Sequence, residues 1–381
     1  MILDYELLRL IWWGLLGVLL IGFAIMDGFD LGMAILLPWV AKTDMQRRIL
    51  INSVAPVWEG NQVWLILGAG SIFAAWPALY ATVFSSFYLA MFLVLASLII
   101  RPVAFKYRSK MPSMRWRTTW DTLLSVAGII TTLVFGVAMG NLFLGIPFSF
   151  DETLRVFYTG SFWQLFTPFT LIFGVISVLM FIMQGAAYIH LKTTQDIARR
   201  ARCVGMCSIA LLLISFSAVG VWLNIMPGYL MDGVFDTSGP SKPLMANYQV
   251  LQVSGAWLQN YVTYPWMLSA PIIAYVGLIM TAIHLKINKA GLAFITSSLA
   301  VFGLVATVGV SLFPFLLPSS SHATQSLLVW NASSSPLTLV VMLIATAIFI
   351  PLILIYTTWV YRVLRGKITV ETINENADNA Y

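Results

Sequence analysis

Charge is scarce: Asp, Glu, Lys and Arg together make up 9% of the 381 residues. Ordinary soluble domains carry about 25%, so a soluble enzyme or binding module is excluded. Histidine is scarcer still, with three copies. His190 and His284 fall near inner helix ends and His322 in an outer loop, so none has a second ligand at a spacing that would hold a haem within this chain. The two cysteines, Cys203 and Cys207, lie four apart on one helix facing a reducing compartment and read as inert packing residues rather than a redox or metal pair. No P-loop, HExxH or CxxC pair occurs, and no metal site is expected. Catalysis by residues of this chain alone is therefore not expected. A redox or transport role has to work through a partner or through acids.

What the chain has is apolar sequence, 60% of it. Runs of roughly 20 apolar residues can each cross a bilayer as a helix. Nine are read, at about 8–38, 49–75, 79–101, 120–145, 162–190, 204–226, 262–285, 290–316 and 338–362. Eighteen of the 21 Lys and Arg residues fall in every second gap, leaving Arg9, Arg155 and Lys242 for the others. Cationic short loops stay cytoplasmic. The expectation is an all-α integral membrane protein of nine transmembrane helices, as two four-helix bundles plus one peripheral helix. The N-terminus is periplasmic and the C-terminus cytoplasmic. The first run is too long, and too acidic within, for a cleaved signal peptide. Residues 1–381 form one transmembrane unit, with 227–261 a periplasmic loop that has room for one short amphipathic helix. The net charge of +6 belongs to the inner face and calls for no nucleic-acid partner. The 17 Met and 14 Trp read as core filler and interface belts.

Acids within the hydrocarbon cost about 2.5–3.5 kcal/mol each on insertion scales, so the few present are candidate site residues. Asp27 and Asp30 sit three apart in the first helix. They could serve proton transfer, or only fix packing by pairing with Arg101 or with helix-terminal amides. Glu59 follows Trp58, with Pro56 and Gly60 flanking it and Asn61 and Gln62 adding polar groups. Its distance from the cytoplasmic Arg48 places it near mid-bilayer, and the Pro and Gly predict a broken helix there with freed backbone groups. A buried acid in that setting suits proton relay. Asp121 begins the fourth predicted helix at the inner face, where it could simply cap it. Gly28/Gly32 and Gly136/Gly140 would permit close helix contact.

Several blocks resemble subunit II of the cytochrome bd quinol oxidases, of the longer proteobacterial type. They are Asp4-Tyr5-Glu6 with Ile11-Trp12-Trp13, Asp27-Gly28-Phe29-Asp30, and Ile51–Pro56 leading to Trp58-Glu59-Gly60-Asn61-Gln62-Val63-Trp64. Phe73–Pro77, Arg101-Pro102, Phe313-Pro314 with Leu317–Ser320, and Leu352–Trp359 continue the likeness to the C-terminal end. The resemblance implies a bacterial inner-membrane heterodimer with a haem-bearing subunit I, often joined by a small single-helix accessory subunit. It implies oxidation of ubiquinol or menaquinol and reduction of O2 to water, with protons drawn from the cytoplasm. Haems b and d would belong to subunit I, and subunit II would scaffold the complex, contribute carboxylates to the proton route and be able to hold a structural ubiquinone. The sequence departs from the family pattern at Val57, where a His is expected, at Glu59 in place of Asp, and at Lys106 in place of Asp.

The acids alone would also suit a proton-coupled secondary transporter using Asp27, Asp30 and Glu59, since broken helices with midplane acids mark such proteins. A scaffold without chemistry is the third reading. The family blocks favour the oxidase subunit.

Overall fold

The computed structural model describes residues 4–233, 236–244 and 249–375. Its helices are α1 (Tyr5–Val40), α2 (Asp44–Val54), α3 (Trp58–Ala75), α4 (Pro77–Ser86), α5 (Tyr88–Tyr107), α6 (Met114–Leu144), α7 (Pro168–Lys192), α8 (Gln195–Ile225), α9 (Gln259–Thr263), α10 (Ser269–Lys286), α11 (Ala290–Leu312), α12 (Pro336–Val363) and α13 (Val370–Glu375). Among the described residues, 8 helices are long and apolar enough to cross a membrane: α1, α5 through Lys110, α6, α7, α8, α10 from Pro265, α11 and α12. The chain is a multi-pass, all-α membrane protein.

The run read at 49–75 is not one helix. It breaks at 55–57 into α2 and α3, and α3 is 18 residues long with Glu59, Asn61 and Gln62 in its opening turns. Those polar residues keep α3 off the apolar set. The run read at 79–101 is likewise divided, at Phe87, into α4 and α5. Two other helices start earlier than the apolar pattern suggests: α6 at Met114 rather than 120, and α8 at Gln195 rather than 204. Arg115 and Arg117 lie within α6, and Arg199, Arg200 and Arg202 within α8. Helix formation continues past the hydrocarbon because basic side chains are good helix formers, whereas hydropathy stops at the first charges.

Starts are set by ordinary caps. Thr167 accepts from Thr170 N ahead of Pro168 in α7, and Ser335 accepts from Thr338 N ahead of Pro336 in α12. The long α1 is the hub and packs on α3, α6, α7 and α11. A Cβ on Gly32 would run into the Phe181 carbonyl and the backbone of Gly185, and one on Gly136 into the Phe173 carbonyl. At those points α1–α7 and α6–α7 meet backbone to backbone. α12 packs least, with 6% of its most apolar window buried.

The end at which α6, α8 and α11 finish carries small antiparallel hairpins: β1 (Phe148–Phe150) with β2 (Val156–Tyr158), β3 (Pro227–Asp232) with β4 (Gln249–Ser254), and β5 (Phe315–Leu317) with β6 (Leu327–Leu328). The 227–261 connection is thus a hairpin followed by short helical turns rather than one amphipathic helix. Its residues 234–235 and 245–248 lie outside the described part. Arg9 reaches into this cap, donating to Ser333 Oγ at 2.8 Å and to Gly239 O at 2.9 Å. Cys203 and Cys207 are exposed on α8, so they are not packing residues within this chain.

Candidate functional site

The Asp27–Asp30 segment of α1 lies where α3, α5 and α12 converge. Both acids are buried, at 0% and 1% exposure, yet their partners differ. Asp27 takes a two-pronged bond from Arg101 of α5, Nη1 to Oδ1 and Nη2 to Oδ2, the second at 3.2 Å. Arg101 is itself 3% exposed, so the pair is desolvated on both sides. Such a fork is among the stronger polar contacts a protein makes. Asp30 has no cation of its own. Its Oδ2 accepts from Asn61 Nδ2 at 2.9 Å, while its Oδ1 is buried with no partner. Asn61 Oδ1 in turn accepts from Tyr361 OH at 2.8 Å. A polar line therefore runs Tyr361–Asn61–Asp30 from α12 through α3 to α1. Phe29 walls it on one side, stacked on Tyr188 at 4.0 Å between centroids.

Glu59 does not join this group. It is exposed on the outward side of α3, next to the exposed Gly60, although the sequence reads it as buried. About half a turn of helix separates the two faces: Asn61 points inward at 2% exposure while Glu59 and Val63 point out. Among the described contacts no hydrogen bond or ion pair reaches Glu59. Trp58 packs edge-on against Phe105 at 6.0 Å. Gln62 is half-buried. Val57 is buried at the break and Lys106 is exposed.

Asp121 is not a helix cap, because α6 begins at Met114. It is 1% exposed and accepts from Arg108 Nε at 2.6 Å, Arg108 Nη2 at 3.1 Å and Arg47 Nη1 at 3.0 Å. Arg108 Nη2 also donates to Asp44 at 2.7 Å, and Arg117 Nη1 to the same carboxylate at 2.6 Å. This network binds α2 to the first turns of α6, at the end of the bundle opposite the hairpins. Burial would raise the Asp44 carboxyl, but the hydrogen bonds and charges of Arg108 and Arg117 outweigh it and hold it below its usual range.

Asp27, Asp30, Arg101 and Asn61 are thus brought together, whereas Glu59, Gln62 and Asp121 lie elsewhere. Sequence reasoning missed Tyr361, which lies two residues beyond the Leu352–Trp359 block, and missed Arg47 and Arg108 as partners of Asp121, with Asp44 sharing Arg108. Tyr361 is one of several hydroxyl residues of α12, beside Thr338, Thr346, Tyr356, Thr357 and Thr358, so no local signal singles it out.

No group of three or more His, Cys, Asp or Glu that could hold a metal is present among the described residues. The histidines do not fit a haem. His190 is enclosed by protein, His284 Nδ1 lies 3.3 Å from Thr296 Oγ1, and His322 is exposed beyond the helices.

The model of the cytochrome bd terminal oxidase subunit II family matches residues 8–364. The chain is 46% identical over 379 residues to a probable cytochrome oxidase subunit 2 of Haemophilus influenzae, with 100% of both chains covered. It is 45% identical over 380 residues to the cytochrome bd-I ubiquinol oxidase subunit 2 of Escherichia coli K12, again with 100% of both covered. It is 29% identical to the corresponding subunit of Bacillus subtilis, covering 94% of this chain and 96% of that one. Its fold is similar to a chain of the bd oxidase from Geobacillus thermodenitrificans, at a TM-score of 0.70 and 15% identity over 94% of this chain and 98% of the other. These findings support an oxidase subunit and not a secondary transporter. A matched core running from α1 through α12, with end-to-end identity to relatives of the same description, has one meaning: the chain belongs to the cytochrome bd terminal oxidase subunit II family.

Proposed function

We propose that this chain, in a bacterial inner membrane, supports the haem-bearing subunit of a quinol:O2 oxidoreductase and gives it a carboxylate route for protons taken from the cytoplasm. The nine-crossing arrangement is part of this reading. The α2–α3 pair makes one broken crossing, α4–α5 another, and α12 stands at the periphery. Ubiquinol is the electron donor suggested by the relatives' names. Haem supplies the oxygen chemistry and belongs to the partner, because the histidines here offer no place for it.

The observation that carries the proton assignment is the buried Asp30, with one oxygen satisfied by Asn61 and the other free. Arg101 is engaged with Asp27, so Asp30 has no counter-ion of its own. In the line from Tyr361 every hydrogen points toward Asp30, which fixes Oδ2 as acceptor and leaves Oδ1 as the atom that takes up and releases a proton. Asp27 and Arg101 set the local field. Glu59, an acid at membrane depth on an outward face, avoids an insertion cost of about 2.5–3.5 kcal/mol when the partner subunit covers it, and so marks where the route meets that subunit.

The test is Asp30→Asn in the assembled oxidase. The amide keeps shape and the bond to Asn61 but cannot carry a proton, so oxygen consumption should fall by roughly 100-fold or more with the reduced-haem spectrum unchanged. Full turnover would remove Asp30 from the route, and loss of haem absorbance would make it a packing residue.

A further inference from the structure

At the inner end of α7 a cluster of basic side chains faces no acid among the described residues. His190 is 4% exposed, and both of its ring nitrogens are buried without a hydrogen-bond partner. Arg202 of α8 and Lys367, from the segment leaving α12, are the charged groups that face it, and both are cations. Arg202 is half-buried, with its Nε buried and unpartnered. Lys192, the last residue of α7, is 8% exposed and donates to a single carbonyl, Leu364 O, at 2.7 Å. The segment is tied down beside it by Ile368 N donating to Lys192 O at 2.9 Å. The acids on these elements are engaged elsewhere: Asp196 lies 3.4 Å from Arg199, and the exposed Glu371 meets Thr369.

Arg202 and Lys367 gathered about an unsatisfied imidazole, with Lys192 beside them, repel one another unless an anion is shared among them. The network about α2 and α6 is answered differently, with Asp44 and Asp121 meeting Arg47, Arg108 and Arg117. We infer that the His190–Lys192–Arg202–Lys367 group binds the phosphate of an anionic phospholipid in the inner leaflet. The depth selects the lipid. Lys192 ends a membrane span, and one turn past Arg202 the exposed Met206 begins an apolar face of α8 that continues at the exposed Leu211 and Ile214. A headgroup at the cations would lay its acyl chains along that face. Basic pockets between helices on the cytoplasmic side recognise such headgroups. The sidedness rests on the orientation proposed above; the cluster itself does not.

The intact oxidase complex, stripped of lipid in neutral detergent and supplied with phosphatidylglycerol or phosphatidylcholine, is assayed by native mass spectrometry for retained lipid. Wild type should keep one phosphatidylglycerol that phosphatidylcholine does not replace. The Arg202→Gln/Lys367→Gln variant should bind it roughly 10- to 30-fold more weakly, at about a few-fold or more per basic residue removed. The Lys286→Gln/Lys289→Gln control, which removes two exposed cations of the same face, should retain it. Lys367→Gln alone, at an exposed position, should weaken it severalfold and guards against misfolding of the double variant. Unchanged retention in the Arg202/Lys367 variant overturns the proposal. So does displacement of the lipid by millimolar inorganic phosphate, which would make this a free-phosphate site.

Discussion

Two carboxylate–guanidinium groups lie at different depths in this chain, and their charge balance is opposite. At the inner surface two acids, Asp44 and Asp121, are shared among Arg47, Arg108 and Arg117. In the core two acids, Asp27 and Asp30, lie beside Arg101, and Arg101 is used by Asp27. The inner group therefore has a cation in excess and every acid answered, which is what joining helices at a wet surface requires. The core group has an acid in excess where water is excluded and an unpaired charge is most expensive. A surplus acid is a poor choice for stability there and a useful one for moving a proton. The proton role proposed for Asp30 rests on this difference and not on burial, since Asp121 and Asp30 are both 1% exposed.

The largest effect should come from breaking the balanced half of the core. Arg101→Met leaves the Asp27 carboxylate buried and alone, a change that typically costs about 3–5 kcal/mol. The expected outcome is little assembled oxidase in the membrane and a lowered unfolding temperature. Removing both charges, as Asp27→Asn/Arg101→Met, should recover most of the assembly because nothing ionised is then left unpaired. If the double variant assembles no better than Arg101→Met, the loss lies in packing at α5 and the charge account fails. The same change at the inner group, Arg47→Met, should be mild, since Arg108 still holds Asp121 through two nitrogens.

A smaller effect is expected at Glu59, whose place is set by neither group. Glu59→Gln should lower oxygen consumption about tenfold with haem content intact if the partner subunit covers this face and the acid hands protons across. Glu59→Leu separates the two environments. Against lipid, leucine should stabilise the subunit; against a polar partner surface it should weaken assembly. Normal turnover in Glu59→Gln together with better assembly in Glu59→Leu would show a lipid-facing acid outside the route.

The membrane class, the positions of most long apolar helices and the choice of Asp27, Asp30, Arg101 and Asn61 as candidates were legible in the sequence, because hydropathy and rare intramembrane acids are local signals, and the structure brings those four side chains together. Which way each acid faces was not. Glu59 and Asn61 are two residues apart, and a helix turns roughly 200° over that interval. No pattern in the chain says which of them faces inward until α1 and α12 are in place. Asp121 was misread for a related reason. Helix α6 runs on through Arg115 and Arg117, so a residue read at the start stands two turns inside, between Arg47 of α2 and Arg108 just past the end of α5. The pairing of Tyr361 with Asn61 spans 300 residues and leaves no local trace.

The smallest effect, and the sharpest check on the inner group, concerns acid. Burial alone would raise the Asp44 carboxyl, but Arg108 and Arg117 hold it below its ordinary range in the folded chain. An unfolded aspartate titrates near ~3.9. A depressed folded value means the unfolded state binds the proton more readily, so the contribution is complete above that pH and is lost as pH falls through the folded value. Stability should therefore be flat from neutrality to about pH 5 on this account, then decline through pH ~4 and below. Because Asp44 and Arg117 are both partly exposed, the pair contributes within ~1 kcal/mol, and salt should weaken it. Thermal unfolding of the purified complex, followed between pH 7 and pH 3.5, should show Asp44→Asn slightly less stable than wild type at neutral pH and the two converging in acid. Added salt should narrow the gap at neutrality. A gap that stays constant down to pH 3.5 would mean that Asp44 contributes shape and hydrogen bonds but not charge, and the inner group would then owe its hold to Asp121 and Arg108 alone.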